Sequence, residues 1–321
     1  MKIYYVNELG IPNGYQKFDY HRLPQAYISL FPMYSVNWNS IDTEILGSGN
    51  VIFVQTPCSD EFNKLTKLKS IIDNNIVFIN QESSLFDWFD WDASIQQLYI
   101  ECLSKCKAFC YHNEYDKKVM EIFCDNFIYY PGCTNVVVET FKQFDSGQYV
   151  LIPNPIKRYQ RGMISHQIAY KNIKNVSIYA MNYNRPKTNE LLAFPDAYKL
   201  NGIELKNRMN LNDWFSFIYN CKFGIDIHKE YSGGNVSLEF GSLATPLIGN
   251  INLDTQRNIF PDLSFEFNDY DGIANAIHLL LNDKDFYEEV SKNALDNINK
   301  KYISSIVVNN FKEQVSKYLT L

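Results

Sequence analysis

The residues best suited to chemistry lie between Phe223 and Gly249. They run Phe223-Gly224-Ile225-Asp226-Ile227-His228, then Gly233-Gly234-Asn235-Val236-Ser237-Leu238-Glu239, then Ala244-Thr245-Pro246-Leu247-Ile248-Gly249. The order reads as strand, glycine turn, helix, Thr-Pro turn and strand. Glycines at a helix start let a ligand come close to the backbone. The first N–H groups of the helix have no partner within it, so they favour phosphate oxygens. Glu239 falls one turn inside, where its carboxylate can accept from hydroxyls of a bound ligand. His228 follows Asp226 on the strand that runs into the turn; it either faces the ligand or is a satisfied core histidine.

A second cluster opens after the apolar run Ile76–Asn80. Glu82 stands in the loop Gln81-Glu82-Ser83-Ser84 at that strand's carboxyl end, followed by Asp87, Asp90 and Asp92 interleaved with Trp88 and Trp91. A carboxylate there suits a general base that deprotonates a hydroxyl, or a group that orients one. The tryptophans either stack on a sugar or base face or pack under the loop. Asp90-Trp91-Asp92 lacks the strand context of a metal site, and no CxxC pair or Cys-His cluster accompanies the cysteines, so no metal is inferred. The cysteines number seven, and Cys102, Cys106 and Cys110 recur at helical spacing. An odd count without a secretion signal points to buried packing rather than a disulfide framework.

Elements must position both clusters. Strands are predicted at Lys2–Val6, Val51–Gln55, Ile76–Asn80, Lys107–Tyr111 and Phe127–Tyr130, alternating with helices near 15–30, 59–72, 93–104 and 114–124, the last capped by Asn113. The pattern restarts after Leu151-Ile152-Pro153-Asn154-Pro155. Strands follow at 176–181, 223–227, 246–249 and 264–267, with helices near 162–171, 212–219, 236–243 and 272–281 and a long helical stretch from about 285 to 321. Strand-helix alternation with apolar strands argues for parallel sheets covered on both faces. The expected fold class is α/β, with two Rossmann-like doubly wound domains facing a central cleft. Domain boundaries are expected at 1–153 and 154–302, with the closing helix, about 303–321, packing back on the first domain.

With 321 residues, 46% hydrophobic and 21% charged, the chain has room for two such domains and is neither disordered nor fibrous. No apolar run approaches the ~20 residues of a spanning helix, and Met1–Val6 reads as a strand rather than a signal peptide. A cytoplasmic protein without stable membrane insertion is therefore expected. The net charge of −6 disfavours tight sequence-independent binding to duplex DNA.

The segment from Gly234 to Ile248 resembles the donor-binding motif of GT-B glycosyltransferases, in the large retaining branch that includes glycogen synthases. Gly234-Asn235-Val236-Ser237 matches the family's diphosphate-binding loop and helix start. Glu239 matches its ribose-binding glutamate, and Ala244-Thr245-Pro246-Leu247-Ile248 its closing turn and strand. One departure is Tyr231, which stands where the family often has a second glutamate; Glu230 lies one residue away. Pro12-Asn13-Gly14, leading to His21 and Arg22, resembles the family's glycine loop in the first domain. Arg158 and Arg161-Gly162 resemble the basic pair that neutralises the diphosphate, with Arg in place of Lys.

The resemblance implies a glycosyltransferase that uses a nucleotide-diphosphate sugar as donor substrate, a UDP-sugar being one candidate, and no further cofactor. It assigns donor binding to Gly14, Arg158, Arg161, Gly234, Asn235, Val236, Ser237 and Glu239. Glu82, His21 and His228 are the candidate catalytic residues. The acceptor is either a glycan hydroxyl or a hydroxymethylated DNA base, the latter by analogy with compact phage-encoded transferases from low-GC genomes. Two alternatives stand beside this reading: a non-catalytic two-domain ligand-binding protein, and a nucleotide-sugar epimerase, which requires further carboxylates around the sugar ring.

Overall fold

Three apolar strands, β3 (Val51–Gln55), β4 (Ile76–Asn80) and β5 (Ala108–Tyr111), are buried along almost their whole length. A strand apolar on both faces has to be covered on both, which places it centrally in a parallel sheet. The structure, a computed structural model, describes residues 2–7, 34–57, 60–80, 91–153, 163–182, 202–207, 209–228 and 234–319. Among these residues the strands form two six-stranded sheets, and every pairing is parallel.

The first sheet has the order β2-β1-β3-β4-β5-β6, with β1 at Ile3–Asn7, β2 at Tyr34–Asn37 and β6 at Phe127–Tyr129. Side chains alternate between its faces. On one face, Tyr4, Val6, Ile52, Val54, Val77 and Ile79 pack against Leu65 and Leu68 of α1 (Glu61–Ile72) and Leu98 and Leu103 of α2 (Ala93–Lys105). On the other, Tyr5, Val51, Phe53, Phe78 and Ile128 pack against the chain's last helix. The helix α3 (Glu114–Met120) starts as expected at Asn113, whose side chain accepts from the Tyr115 N–H at 2.8 Å.

The second sheet contains β7 (Tyr149–Ile152), β8 (Ser177–Asn182), β9 (Ile203–Asn207), β10 (Cys221–Asp226), β11 (Leu247–Asn250) and β12 (Ser264–Phe265), in the order β9-β8-β7-β10-β11-β12. That is the 3-2-1-4-5-6 order of doubly wound sheets. Its helices are α4 (Met163–Asn172), α5 (Leu211–Asn220), α6 (Asn235–Ser242), α7 (Asp254–Ile259), α8 (Tyr270–Asn282) and α9 (Lys284–Lys301).

The chain divides into two compact units. Residues up to Asn135 and the end of the chain from Ser304 form one, and most of the span from Val136 to Ile303 forms the other. This differs from the expected boundary at Pro153. The run Tyr149–Ile152 is already the first strand of the second sheet, paired with both β8 and β10. Pro153-Asn154-Pro155 therefore follows a strand of the second unit instead of separating the units. The long helical stretch also divides, into α9 and α10 (Ser304–Leu319), around Tyr302. All six described cysteines are buried free thiols; burial pushes Cys102 up to about 12. No helix among the described residues is long and apolar enough to cross a membrane.

Phe311 of α10 contacts Phe53 and Tyr130, with ring centroids 6.0 and 5.3 Å away. Phe311→Ala is expected to cost about 3–5 kcal/mol in the first unit. Amide hydrogen exchange should accelerate in β3 and β5 and stay unchanged in β10 and β11. Uniform acceleration through both sheets would contradict the assignment of α10 to the first unit.

Candidate functional site

Strand order in the second sheet reverses between β7 and β10, and crossovers on either side of such a point leave a crevice beyond the carboxyl ends of those strands. Two helices begin there, α4 after β7 and α6 after β10. Ser165 of α4 fastens its helix to the end of β10: its Oγ accepts from the Ile227 N–H at 2.8 Å and lies 3.2 Å from the Ile227 carbonyl.

The start of α6 is set by Gly234, at φ 64° and ψ 35° in the left-handed region. A Cβ on Gly234 would fall 1.6 Å from Thr255 Oγ1, so glycine is required by both conformation and space. Thr255 Oγ1 in turn donates to the Gly234 carbonyl at 3.3 Å. The Leu238 N–H also bonds to the Gly234 carbonyl, at 3.3 Å. The N–H groups of Asn235, Val236 and Ser237 therefore precede the intrahelical ladder, at the positive end of the helix dipole. No acidic side chain stands in this first turn to compete for them. Among the described residues, the Asn235 Oδ1 atom is buried without a hydrogen-bond partner.

Ser237 directs its side chain inward. Its hydroxyl donates to Gln256 Oε1 at 2.8 Å, while the Gln256 amide donates to the carbonyls of Leu247 at 2.8 Å and Leu263 at 3.3 Å. Of the groups expected to bind a ligand at Ser237, the backbone N–H keeps its helix-start position and the hydroxyl is engaged with α7. Val236 packs against the core. The helix ends on Ala244, at φ 50°, with Ala244 N–H bonded to the Gly241 carbonyl at 3.0 Å and Thr245 N–H to that of Phe240 at 2.9 Å. A left-handed alanine costs roughly 1–2 kcal/mol, so the two backbone bonds of this turn, rather than the preference of Ala244, hold the conformation.

Glu239 is half-buried, and its Oε2 accepts from the Trp214 indole N–H of α5 at 2.9 Å. His228 is buried: its Nε2 lies 3.7 Å from Asp226 Oδ2, and its carbonyl accepts from the Asn250 side-chain amide. His228, Gly234, Asn235, Val236, Ser237 and Glu239 thus belong to a single strand-turn-helix unit. Trp214, Asn250, Thr255 and Gln256 support it and were not singled out from sequence. Asn250 had a legible signal, a polar residue closing a buried strand; the other three are defined only by tertiary partners.

Gly14, His21, Glu82, Arg158 and Arg161 lie outside the described residues, as do Glu230, Tyr231 and Gly233. At the carboxyl end of β4 in the first unit, Asn80 is buried, and its Oδ1 has no hydrogen-bond partner among the described residues. The Thr56 hydroxyl donates to the Asn80 carbonyl at 3.0 Å and lies 3.2 Å from the Tyr99 hydroxyl. Trp91 meets Tyr99 edge-on at 5.5 Å, in line with the packing alternative for that residue. Among the described residues, no three His, Cys, Asp or Glu side chains converge on a possible metal position.

The fold defined by these two parallel sheets is that of GT-B glycosyltransferases. Three solved structures exemplify the likeness. TarM from S. aureus, in complex with Fondaparinux, α-GlcNAc-glycerol and UDP, is 14% identical with a TM-score of 0.66; the match covers 86% of this chain and 57% of TarM. The trehalose 6-phosphate synthase of Burkholderia multivorans is 11% identical with a TM-score of 0.69, over 88% of this chain and 73% of that one. The sucrose-phosphate synthase of Thermosynechococcus elongatus is 9% identical with a TM-score of 0.64, over 84% of this chain and 73% of that one. The chain thus spans little more than half the length of TarM. Neither a protein-family model nor a curated protein sequence matches it.

Gly234→Ala is expected to lower stability by more than the roughly 1–2 kcal/mol of a left-handed alanine, because the added methyl also strikes Thr255. In a double-mutant cycle, Thr255→Ala should recover part of that loss by removing the hydroxyl and leave the conformational part. Strictly additive unfolding free energies would show that the two residues do not meet.

Proposed function

We propose that the chain is a glycosyltransferase that moves a sugar from a nucleotide-diphosphate donor to an acceptor hydroxyl. The observation that carries this reading is the left-handed Gly234 cap at the carboxyl end of β10. It places three consecutive N–H groups, those of Asn235, Val236 and Ser237, ahead of the intrahelical ladder, with a glutamate, Glu239, one turn further along. A helix start of this kind suits a diphosphate, and it stabilises the negative charge that grows on the departing group as the glycosidic bond breaks. In this reading Arg158 and Arg161, which follow β7 in the chain, add charge-assisted bonds to the same phosphates. Glu239 accepts from the ribose hydroxyls.

UDP is the proposed nucleotide; TarM was solved with it, and its fold is shared here. Retention of configuration is proposed from the branch that the Gly234–Ile248 motif resembles. For the acceptor, a hydroxyl on a sugar or polyol fits better than a DNA base. TarM was also solved with α-GlcNAc-glycerol, and the net charge of −6 gives no general surplus for phosphate backbones. Glu82 is proposed to orient the acceptor hydroxyl, with His21 and His228 beside the transferred sugar and Gly14 approaching the donor.

Calorimetric titration with UDP, GDP and ADP, paired with release of nucleoside diphosphate from the corresponding sugar nucleotides, tests the proposal. Saturable binding of one nucleotide is expected, with Arg158→Ala and Arg161→Ala each weakening it about tenfold or more, as for bonds worth roughly 1.5–3 kcal/mol. Glu239→Gln should weaken binding with little loss of stability, because glutamine still offers the Trp214 N–H an acceptor. Glu239→Ala strands that indole N–H and should lose stability as well as affinity. Absence of saturable heat with all three nucleotides at millimolar concentration would refute the donor assignment.

A further inference from the structure

We infer that Trp214 is a positioning residue for nucleotide recognition. Its indole N–H holds the Glu239 carboxylate in the orientation that reads ribose hydroxyls, and it thereby sets a preference for ribonucleotides over their 2′-deoxy counterparts. The inference rests on the donor-site reading above and goes beyond it by assigning the determinant of sugar discrimination to a second helix.

The geometry points to this role for three reasons. The indole has one donor and no acceptor, so its 2.9 Å bond to Glu239 Oε2 has a fixed direction and cannot reverse. Trp214 is itself held in place. It is buried in the core of the second unit, and α5 is fixed at its start by Asn210, whose side chain accepts from the Asp213 N–H at 2.9 Å. Glu239, by contrast, is a half-buried side chain with three rotatable bonds. A rigid, one-directional donor on a carboxylate at the end of three rotatable bonds restricts its orientation before the ligand arrives. The competing view is that Glu239 merely satisfies a buried tryptophan. The two views differ in what the N–H does for the ligand.

Titration of UDP and 2′-deoxy-UDP into wild type, Trp214→Phe and Glu239→Gln separates them. Wild type should prefer UDP. Trp214→Phe keeps the aromatic packing and removes the donor. It should weaken UDP about three- to tenfold and leave 2′-deoxy-UDP within about twofold, so that the preference shrinks. Trp214→His, which keeps a ring N–H, should retain more of the preference than Trp214→Phe. Where Trp214→Phe lowers the melting temperature appreciably, benzothienylalanine at position 214 carries the same test, since it keeps the indole's shape without its N–H. Unchanged preference on loss of the N–H overturns the positioning role, and so does equal weakening of both nucleotides. A wild type that binds both equally, or a Glu239→Gln variant with unaltered affinity and preference, instead counts against the ribose contact and therefore against the donor-site reading.

Discussion

A parallel strand cannot be reached from its neighbour by a tight turn, so the chain crosses back over the sheet each time. Both units obey this constraint, and their sites follow from it. The crossovers cover both faces, which makes the central strands apolar over nearly their whole length, as in residues 51–54 of β3 and Tyr149–Ile152. They also send every carboxyl end to the same edge. Polar side chains have little place along such strands and collect where they stop. Gln55, Asn80, Asp226 and Asn250 close β3, β4, β10 and β11, and each is buried. The edge where the sheet runs out of hydrophobic neighbours is therefore also where its polar groups are concentrated.

At the β10–α6 turn this arrangement is tightened by α7. Thr255 fills the space a side chain at position 234 would occupy, and Gln256 is fully buried with its amide bonded to the carbonyls of Leu247 and Leu263. Gln256 also lies flat against Gly249, where a Cβ would stand 2.4 Å from its Cδ. The glycines at 234 and 249 thus share a cause, the approach of α7 to the strand ends, to which Gly234 adds its left-handed conformation. Ser237 completes the sorting of polar groups: its hydroxyl points to Gln256, and its N–H stays at the start of the helix.

The central strands were legible because burial on both faces writes an uninterrupted apolar run; Val51–Gln55 and Ile76–Asn80 have the bounds the sequence predicts. The edge strands β2 and β9 were missed for the converse reason. Tyr34–Asn37 and Ile203–Asn207 are partly exposed, and their mixed residues read as loop. The unit boundary was misplaced because Pro153-Asn154-Pro155 is punctuation after a strand, and local sequence does not distinguish that from punctuation between domains. Within the candidate site, Gly234 and Glu239 stand out by type and spacing. Trp214 and Thr255 do not, since each matters only through a partner more than twenty positions away in the chain.

The helix that presents Trp214 is fixed at its far end as well. The last carbonyls of a helix have no partner within it. In α5 they are met from three other parts of the second unit. The Tyr149 hydroxyl of β7 donates to Phe217 at 2.7 Å, Thr245 Oγ1 lies 3.4 Å from the Ile218 carbonyl, and Lys142 Nζ donates to Tyr219 and to Cys221 just beyond. Lys142 is buried, and the loss of water around its ammonium lowers its pKa to about 8, while the carbonyls it contacts favour the charged form. Side chains from β7, from the turn after α6 and from the segment before β7 thus converge on one helix end, while Asn210 caps the other. A helix held at both ends cannot slide or roll without breaking several bonds together. That rigidity allows a bond between two side chains, Trp214 to Glu239, to define a direction in space rather than a transient contact.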